Sequence, residues 1–281
     1  MTAGFVDRGI DVERMKKIVA QGKKELGLNP GPAVRSLTAD PAAPGRAAFE
    51  YSATKSVAIP PDRLQSNRII AQDNSDFRAR NFQVLRTKVL QQMRKKNWNT
   101  LAITAPTEGA GKSLVAANLA VSMAMEGNQS VLLVDMDLRK PSIHRYFGFE
   151  PECSIHDYLD GTASVAEMLV HPGIARLVLL PGRRNILNSS EHLSSPLVKN
   201  LVRELKVRYE SRIVIFDLPP ALISDEVMVF LPYVDCSLLV IESGKNTPRE
   251  VEKAIEVMGS SPLLGTVLNK SDQSRRTFNY G

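Results

Sequence analysis

The chain has few of the residues that build secreted, membrane-spanning or metal-stapled proteins. Two cysteines in 281 residues, Cys153 and Cys236, are too few for a disulfide framework. Cys236 opens the apolar run Cys236–Ile241 and reads as a buried, reduced thiol. No apolar run approaches the roughly 18–20 residues of a membrane span; Val227–Val234 is short and broken by Pro232. The first thirty residues lack the apolar core and small-residue cleavage site of a secretory leader, so a cytoplasmic protein is expected. His144, His156, His171 and His192 show no metal-ligand spacing and fall among loop-like residues, which predicts surface or capping roles. There is no G-x-S-x-G or comparable nucleophile setting. Aromatics make up only 6% of the residues and are rarely interleaved with basic ones, so specific nucleic-acid binding by base stacking has little support.

What is present is ordinary for a globular protein of one or two domains: 43% hydrophobic and 23% charged residues. The net charge of +6 is unevenly spread. Residues 1–98 hold 18 Lys+Arg against 9 Asp+Glu, whereas residues 99–281 hold 18 against 21. The basic excess belongs to the N-terminal third. Residues 1–28 form a basic amphipathic segment, with Val12, Met15, Ile18, Val19 and Leu26 near one helical face and Arg14, Lys16, Lys17, Lys23 and Lys24 around it. Such a segment suits weak contact with an acidic membrane surface, or docking on its own domain. Residues 29–74 are rich in Pro, Ala and Gly and read as a linker.

Order is predicted over residues 75–271. Phe77, Phe82, Leu85, Val89 and Met93 recur at helical spacing over 76–96. Strand candidates follow at Thr100–Thr104, Ser130–Asp135, Leu177–Leu180, Ile213–Asp217, Ser237–Ile241 and Gly265–Leu268. They alternate with helical stretches at Lys112–Met125, Pro196–Tyr209, Asp225–Leu231 and Pro248–Met258. Near-continuous apolar strands alternating with helices predict a doubly wound α/β fold with a mostly parallel sheet. Met123 and Met125 are expected in the core. Residues 272–281 form a flexible tail carrying Tyr280.

Chemistry is expected where three of these strands end. The strand Leu101–Thr104 runs into Ala105-Pro-Thr-Glu-Gly-Ala-Gly-Lys-Ser113 and then a helix. Glycines let backbone N–H groups close round phosphate oxygens at a helix N-terminus. Lys112 would reach the β- and γ-phosphates of ATP, and the Ser113 hydroxyl would ligate Mg²⁺. The full G-x-x-x-x-G-K-[ST] pattern wants glycine at position 106, where this chain has Pro106. A second strand ends in Asp135-Met-Asp137-Leu-Arg139 and another in Asp217-Leu-Pro-Pro220. In an open α/β sheet these carboxylates converge on the phosphate loop. Asp217 suits metal binding, and Asp135 and Asp137 can divide metal binding and base work between them.

Together these motifs resemble the bacterial tyrosine kinases (BY-kinases), P-loop relatives of the MinD/ParA ATPases that are unrelated to eukaryotic protein kinases. The resemblance covers about residues 76–271, and the hydrophobic-D-x-D-x-R strand end is its most specific element. The lysine that marks MinD/ParA ATPases would fall at Thr107, which also tells against a DNA-partitioning ATPase using the basic arm. The likeness extends to the exosortase-associated tyrosine autokinases of exopolysaccharide clusters, whose membrane-spanning chain-length regulator is a separate polypeptide. It implies an ATP- and Mg²⁺-dependent autokinase with that regulator as partner and other copies of itself as substrate, recruited from the cytoplasm to the inner membrane face. It implies a nucleotide site of Glu108, Gly109, Ala110, Gly111, Lys112, Ser113, Leu114, Arg139 and Asn269, the last beside adenine. It further implies catalytic Lys112, Asp135, Asp137 and Asp217, a metal site of Ser113, Asp137 and Asp217, Asp135 as base, and Tyr280 as acceptor. Two features depart from the family pattern. The tail has one tyrosine instead of a cluster, and the E-x-x-R-x-x-R oligomerisation motif reads Arg80-Asn-Phe-Gln83-Val-Leu-Arg86. A nucleotide-switched adaptor ATPase without kinase activity is the alternative.

Overall fold

The computed structural model describes residues 54–271 except 74, 128, 187, 208–210 and 260. The basic segment 1–28, the first part of the stretch 29–74 and the tail with Tyr280 lie outside the described residues. The elements run β1 (Lys55–Ser56), α1 (Pro61–Ser66), α2 (Ala79–Lys96), β2 (Thr100–Thr104), α3 (Lys112–Ala124) and β3 (Ser130–Asp135). Then come α4 (Ile143–Phe147), α5 (Ile155–Leu159), α6 (Val165–Met168), β4 (Val170–His171) and β5 (Leu177–Leu180). The rest are α7 (Ser189–Ser194), α8 (Pro196–Val207), β6 (Arg212–Asp217), α9 (Glu226–Phe230), β7 (Cys236–Glu242), α10 (Pro248–Met258) and β8 (Leu263–Asn269).

The eight strands form one sheet in the order β1-β4-β5-β3-β6-β2-β7-β8, parallel except between β4 and β5. Side chains alternate across it. Leu101 and Ile103 join Val131 and Leu133 beneath α2, α3 and α4, while Ala102, Leu132 and Val134 face α8, α9 and α10. Both faces are therefore covered, which is why β2, β3 and β6 read as unbroken apolar runs. α8 buries Val198, Leu201, Val202 and Leu205 at helical spacing, at about 1.5–3 kcal/mol per side chain. Small and apolar residues surround α3 on all sides, and Val115 to Ala124 are buried throughout; it is the central helix between the sheet and α2. The chain leaves β2 towards β3 on one side of β6. It leaves β6 across β2 towards β7. These diverging crossovers open a crevice over the carboxyl ends of β2, β3 and β6.

The structure corrects four sequence expectations. Residues 55–73 are not linker: they supply β1 and α1 and bury Leu64, Ile69, Ile70 and Ala71. Pro60 and Pro61 there start a helix, with Pro61 at its first turn, where a missing N–H costs nothing. His144 and His156 are buried on α4 and α5 rather than sitting on loops at the surface; His156 Nδ1 accepts the Arg183 N–H at 3.3 Å. Met123 is in the core, but Met125, at the end of α3, is exposed. Phe77 precedes α2 and is exposed, so α2 packs through Val89, Leu90 and Met93. Cys236 is buried as expected.

Candidate active site

The phosphate loop is held from three sides. Gly109 and Gly111 have φ of +84° and +89°, backbone angles that favour glycine. A Cβ on Gly111 would stand 2.3 Å from Nδ2 of Asn269. That close approach is used: the Asn269 amide, at the end of β8, donates to the Ala110 carbonyl at 2.8 Å. Pro106 stands in place of glycine and is tied down through its carbonyl. Its carbonyl accepts the Leu222 N–H at 3.2 Å, and Ala105 accepts that of Ala221 at 2.8 Å. Thr107 Oγ1 accepts from the buried Asn246 amide at 2.7 Å.

Lys112 is not the solvent-facing lysine that its place at a helix N-terminus suggests. Its side chain is 12% exposed, with Nζ 2.7 Å from Asp137 and 3.5 Å from Asp217, and it donates to Ser113 Oγ at 3.2 Å. Burial opposes its charge, but the Asp217, Asp137 and Asp135 carboxylates outweigh burial and hold its proton above the ordinary lysine range. The three strand-end carboxylates thus converge on one ammonium group.

They are not equivalent. Asp137 borders the cleft. Asp135 is fully buried behind it, its Oδ2 accepting the N–H groups of Ser142 (2.8 Å) and Ile143 (2.9 Å) at the start of α4. Its Oδ1 takes a longer bond, 3.3 Å, from Asp137 N–H. Burial and then the Asp217 charge push the Asp135 carboxyl up to about 7. Asp217 is also fully buried, and neither of its oxygens accepts a hydrogen bond. Burial raises it to about 6 against the pull of the Lys112 charge.

Three buried carboxylates facing one ammonium leave a surplus of negative charge, and uncompensated buried charge is costly. The bare oxygens of Asp217 beside the Ser113 hydroxyl fit Mg²⁺, a hard cation that takes one or two carboxylates and completes its shell with water and substrate phosphate. Among the described residues no group of three or more His, Cys, Asp or Glu side chains is placed to hold a metal ion by itself.

The cleft over these groups has a volume of about 520 Å³ and is walled by Glu108, Gly109, Arg139, Tyr146, Pro220 and Glu226 among others. Lys140 pairs with Glu108 at 2.7 Å across its exposed rim. Arg139 Nε lies 3.2 Å from Ser189 Oγ and 3.4 Å from the fully buried Glu226. Glu226 and Tyr146 are absent from the sequence-derived site. Asp225-Glu226, just past the Asp217-Leu-Pro-Pro turn at a helix start, was a usable signal; Tyr146 had none. Of the residues named from sequence, Leu114 faces away from this cleft into a neighbouring hollow. Arg86, the one retained position of the oligomerisation pattern, is turned inward: it donates to the Ser122 carbonyl at 3.1 Å and lies 3.6 Å from Glu126.

A glycine-lined loop between a strand and a helix, faced by carboxylates at two further strand ends, defines a P-loop nucleotide-binding α/β domain. A family model described as an AAA domain matches residues 98–245. The chain is 32% identical over 221 residues to tyrosine-protein kinase YwqD of Bacillus subtilis, covering 78% of this chain and 92% of that protein. It is also 32% identical over 205 residues to a Ralstonia solanacearum protein named putative tyrosine-protein kinase EpsB, covering 70% of this chain but 26% of that one. Among solved structures, the kinase domain of Escherichia coli tyrosine kinase ETK superposes with a TM-score of 0.67 at 29% identity, over 76% of this chain and 84% of that one. The chain belongs to the bacterial tyrosine-protein kinase family.

Proposed function

We propose that this chain is an ATP- and Mg²⁺-dependent tyrosine autokinase that regulates exopolysaccharide polymerisation or export together with a membrane chain-length regulator. The observation that carries the reading is Lys112 buried among Asp135, Asp137 and Asp217 at the mouth of a phosphate loop. Phosphoryl transfer depends mostly on positioning and charge stabilisation, and these groups supply both. Gly109, Ala110 and Gly111 cradle phosphate through backbone N–H groups. Lys112 stabilises charge on the transferring group, and Arg139 lies across the cleft from the loop. Ser113 and Asp217, with Asp137, would hold Mg²⁺, which when bound neutralises phosphate charge.

Asp135 is the base. Its proton affinity lies near neutral pH, where a general base works best. A tyrosyl hydroxyl reaches it when the long contact from Asp137 N–H gives way. Asn269 places the β8 end against the loop, where adenine would lie. Tyr280 is the acceptor, modified by a neighbouring copy.

The single tail tyrosine and the inward-turned Arg86 favour a second reading, a nucleotide-switched adaptor without kinase activity. Incubation of the full chain with labelled ATP and Mg²⁺, followed by phosphopeptide mapping of the parent and of Tyr280→Phe, separates the two. Phosphotyrosine lost in the variant is expected. Phosphotyrosine that survives it refutes the tail as acceptor, and ATP hydrolysis with no phosphotyrosine in the parent hands the case to the adaptor.

A further inference from the structure

Next to the nucleotide cleft, between α1, α3 and α4, lies a second hollow of about 430 Å³ walled by Ser66, Arg68, Leu114, Ser142, Arg145 and Tyr146. Tyr146 also walls the cleft, so a single residue is shared between the two. Ser142 gives its N–H to Asp135 at 2.8 Å, and Leu114 directly follows Ser113. The hollow therefore adjoins the carboxylate site.

It is cationic. Among the described residues no carboxylate pairs with Arg68 or Arg145, and the Arg145 guanidinium donates to the Pro141 carbonyl at 3.1 Å. Arg68 is also held in an unusual way. Its φ is +63°, a left-handed conformation disfavoured for a residue with a Cβ. The conformation is locked from behind by Asn118, which is fully buried on α3. The Asn118 Oδ1 accepts the N–H groups of Ile70 (2.8 Å) and Ala71 (3.1 Å), and its Nδ2 donates to the carbonyls of Arg68 and Leu114, both at 3.0 Å. Every hydrogen-bonding position of that amide is used, and a satisfied buried polar group specifies one arrangement. The result is a fixed backbone at Arg68, from which its exposed side chain lines one hollow together with Arg145 and Ser142. That donor set matches an oxyanion.

We propose that this hollow receives a carboxylate or phosphate carried next to the acceptor tyrosine of a separate substrate protein, and so selects tyrosines with an anionic flank. The inference rests on the tyrosine-kinase reading above. A residue one or two places from a tyrosine lies about 3–7 Å along an extended chain, which suits two sites sharing one side chain as wall. ATP phosphate has its own cradle at Gly109–Ser113. Upstream of Tyr280 the tail carries Arg275 and Arg276, whose charge has the wrong sign for this hollow. The hollow therefore serves a separate substrate protein, in addition to the autophosphorylation of Tyr280 proposed above.

The test uses the full chain with Mg²⁺-ATP and four peptides built on one central tyrosine, flanked by glutamate, phosphoserine, serine or lysine. Transfer rates are read alongside binding, by fluorescence anisotropy with a non-hydrolysable ATP analogue. The parent should favour glutamate or phosphoserine flanks over serine at least tenfold in kcat/KM, and the stronger of those two identifies carboxylate or phosphate as the natural anion. Arg68→Gln and Arg145→Gln should each cut that preference below threefold, and Arg68→Glu should turn it towards the lysine peptide. A preference untouched in both glutamine variants overturns the proposal. So does a raised KM for ATP with the preference intact, which would put nucleotide in the hollow. If the parent phosphorylates none of the peptides, its autophosphorylation decides the kinase reading separately; selective binding of the anionic peptides that Arg68→Gln abolishes would still support the site, and its absence would sink it.

Discussion

Replacing Lys112 by methionine tests the electrostatics of the site without nucleotide. Methionine keeps most of the stem's volume and removes the charge, leaving Asp135, Asp137 and Asp217 with no cation. Removing one partner of a buried ion pair costs about 3–5 kcal/mol, and for a domain of this size each kcal/mol moves Tm by about 2–4 °C. In EDTA at pH 8 the variant should therefore melt about 6–20 °C below the parent. The loss should depend on pH in a definite direction. Asp135 and Asp217 titrate near 7 and 6 when folded, above the ordinary aspartate value of about 4. The folded state thus holds more protons than the unfolded one across pH 4–7, and stability falls as pH rises through that window. At pH 5.5 both carboxyls take up protons, the missing ammonium matters less, and the Tm deficit should shrink by at least half. Differential scanning fluorimetry from pH 5 to 8.5 reads this directly. A deficit that is absent, or the same at both ends of the range, would refute the claim that Lys112 neutralises these carboxylates. Loss of ATP binding in the folded variant is expected as well, and retained affinity would remove the phosphate-loop assignment.

Two further outcomes follow from the same geometry. Asp217→Asn should lose most of the Tm gain that Mg²⁺ with an ATP analogue gives the parent at pH 8, by thermal shift; an undiminished gain would place the metal elsewhere. Asp135→Asn should cut tyrosine phosphorylation at least a hundredfold while ATP affinity, by calorimetry, changes less than threefold. Because Asp135 also caps α4 through two N–H groups, this comparison is made at a temperature where circular dichroism shows the variant folded, and phosphorylation at the parental rate would exclude Asp135 as base.

The central strands were legible because each is buried on both faces: Thr100–Thr104, Ser130–Asp135 and Leu177–Leu180 fall where the apolar runs put them. The long helices α8 and α10 were legible from their apolar stripes. The short helices α5 and α6 escaped periodicity, which needs two or more turns to register. Both begin with capping boxes, Ser154 with Asp157 and Ser164 with Glu167, that could have found them. The three carboxylates were readable as strand ends, but their different surroundings were not. Whether an aspartate faces a cleft or caps the next helix depends on the loop that follows it, and Asp135 and Asp137 differ by two residues. Tyr146, Asn118 and the 55–73 segment act through contacts distant in sequence, and no local pattern announces them.

The hold of Asn118 on residues 68–71 bears on where this folding unit begins. A boundary drawn by composition falls at residue 75, and the AAA-domain match starts later, at 98. A chain cut at either point would lose the two N–H donors that Asn118 Oδ1 accepts and the carbonyl of Arg68, stranding a polar group inside α3 at about 1–3 kcal/mol per unmet partner. It would also uncover the surfaces now covered by Leu64, Ile69 and Ala71. The smallest autonomous unit is therefore larger than its chemistry requires. A truncation that keeps every phosphate-binding and acidic residue but starts after Ala71 should yield a destabilised protein whose weak activity says nothing about its catalytic groups.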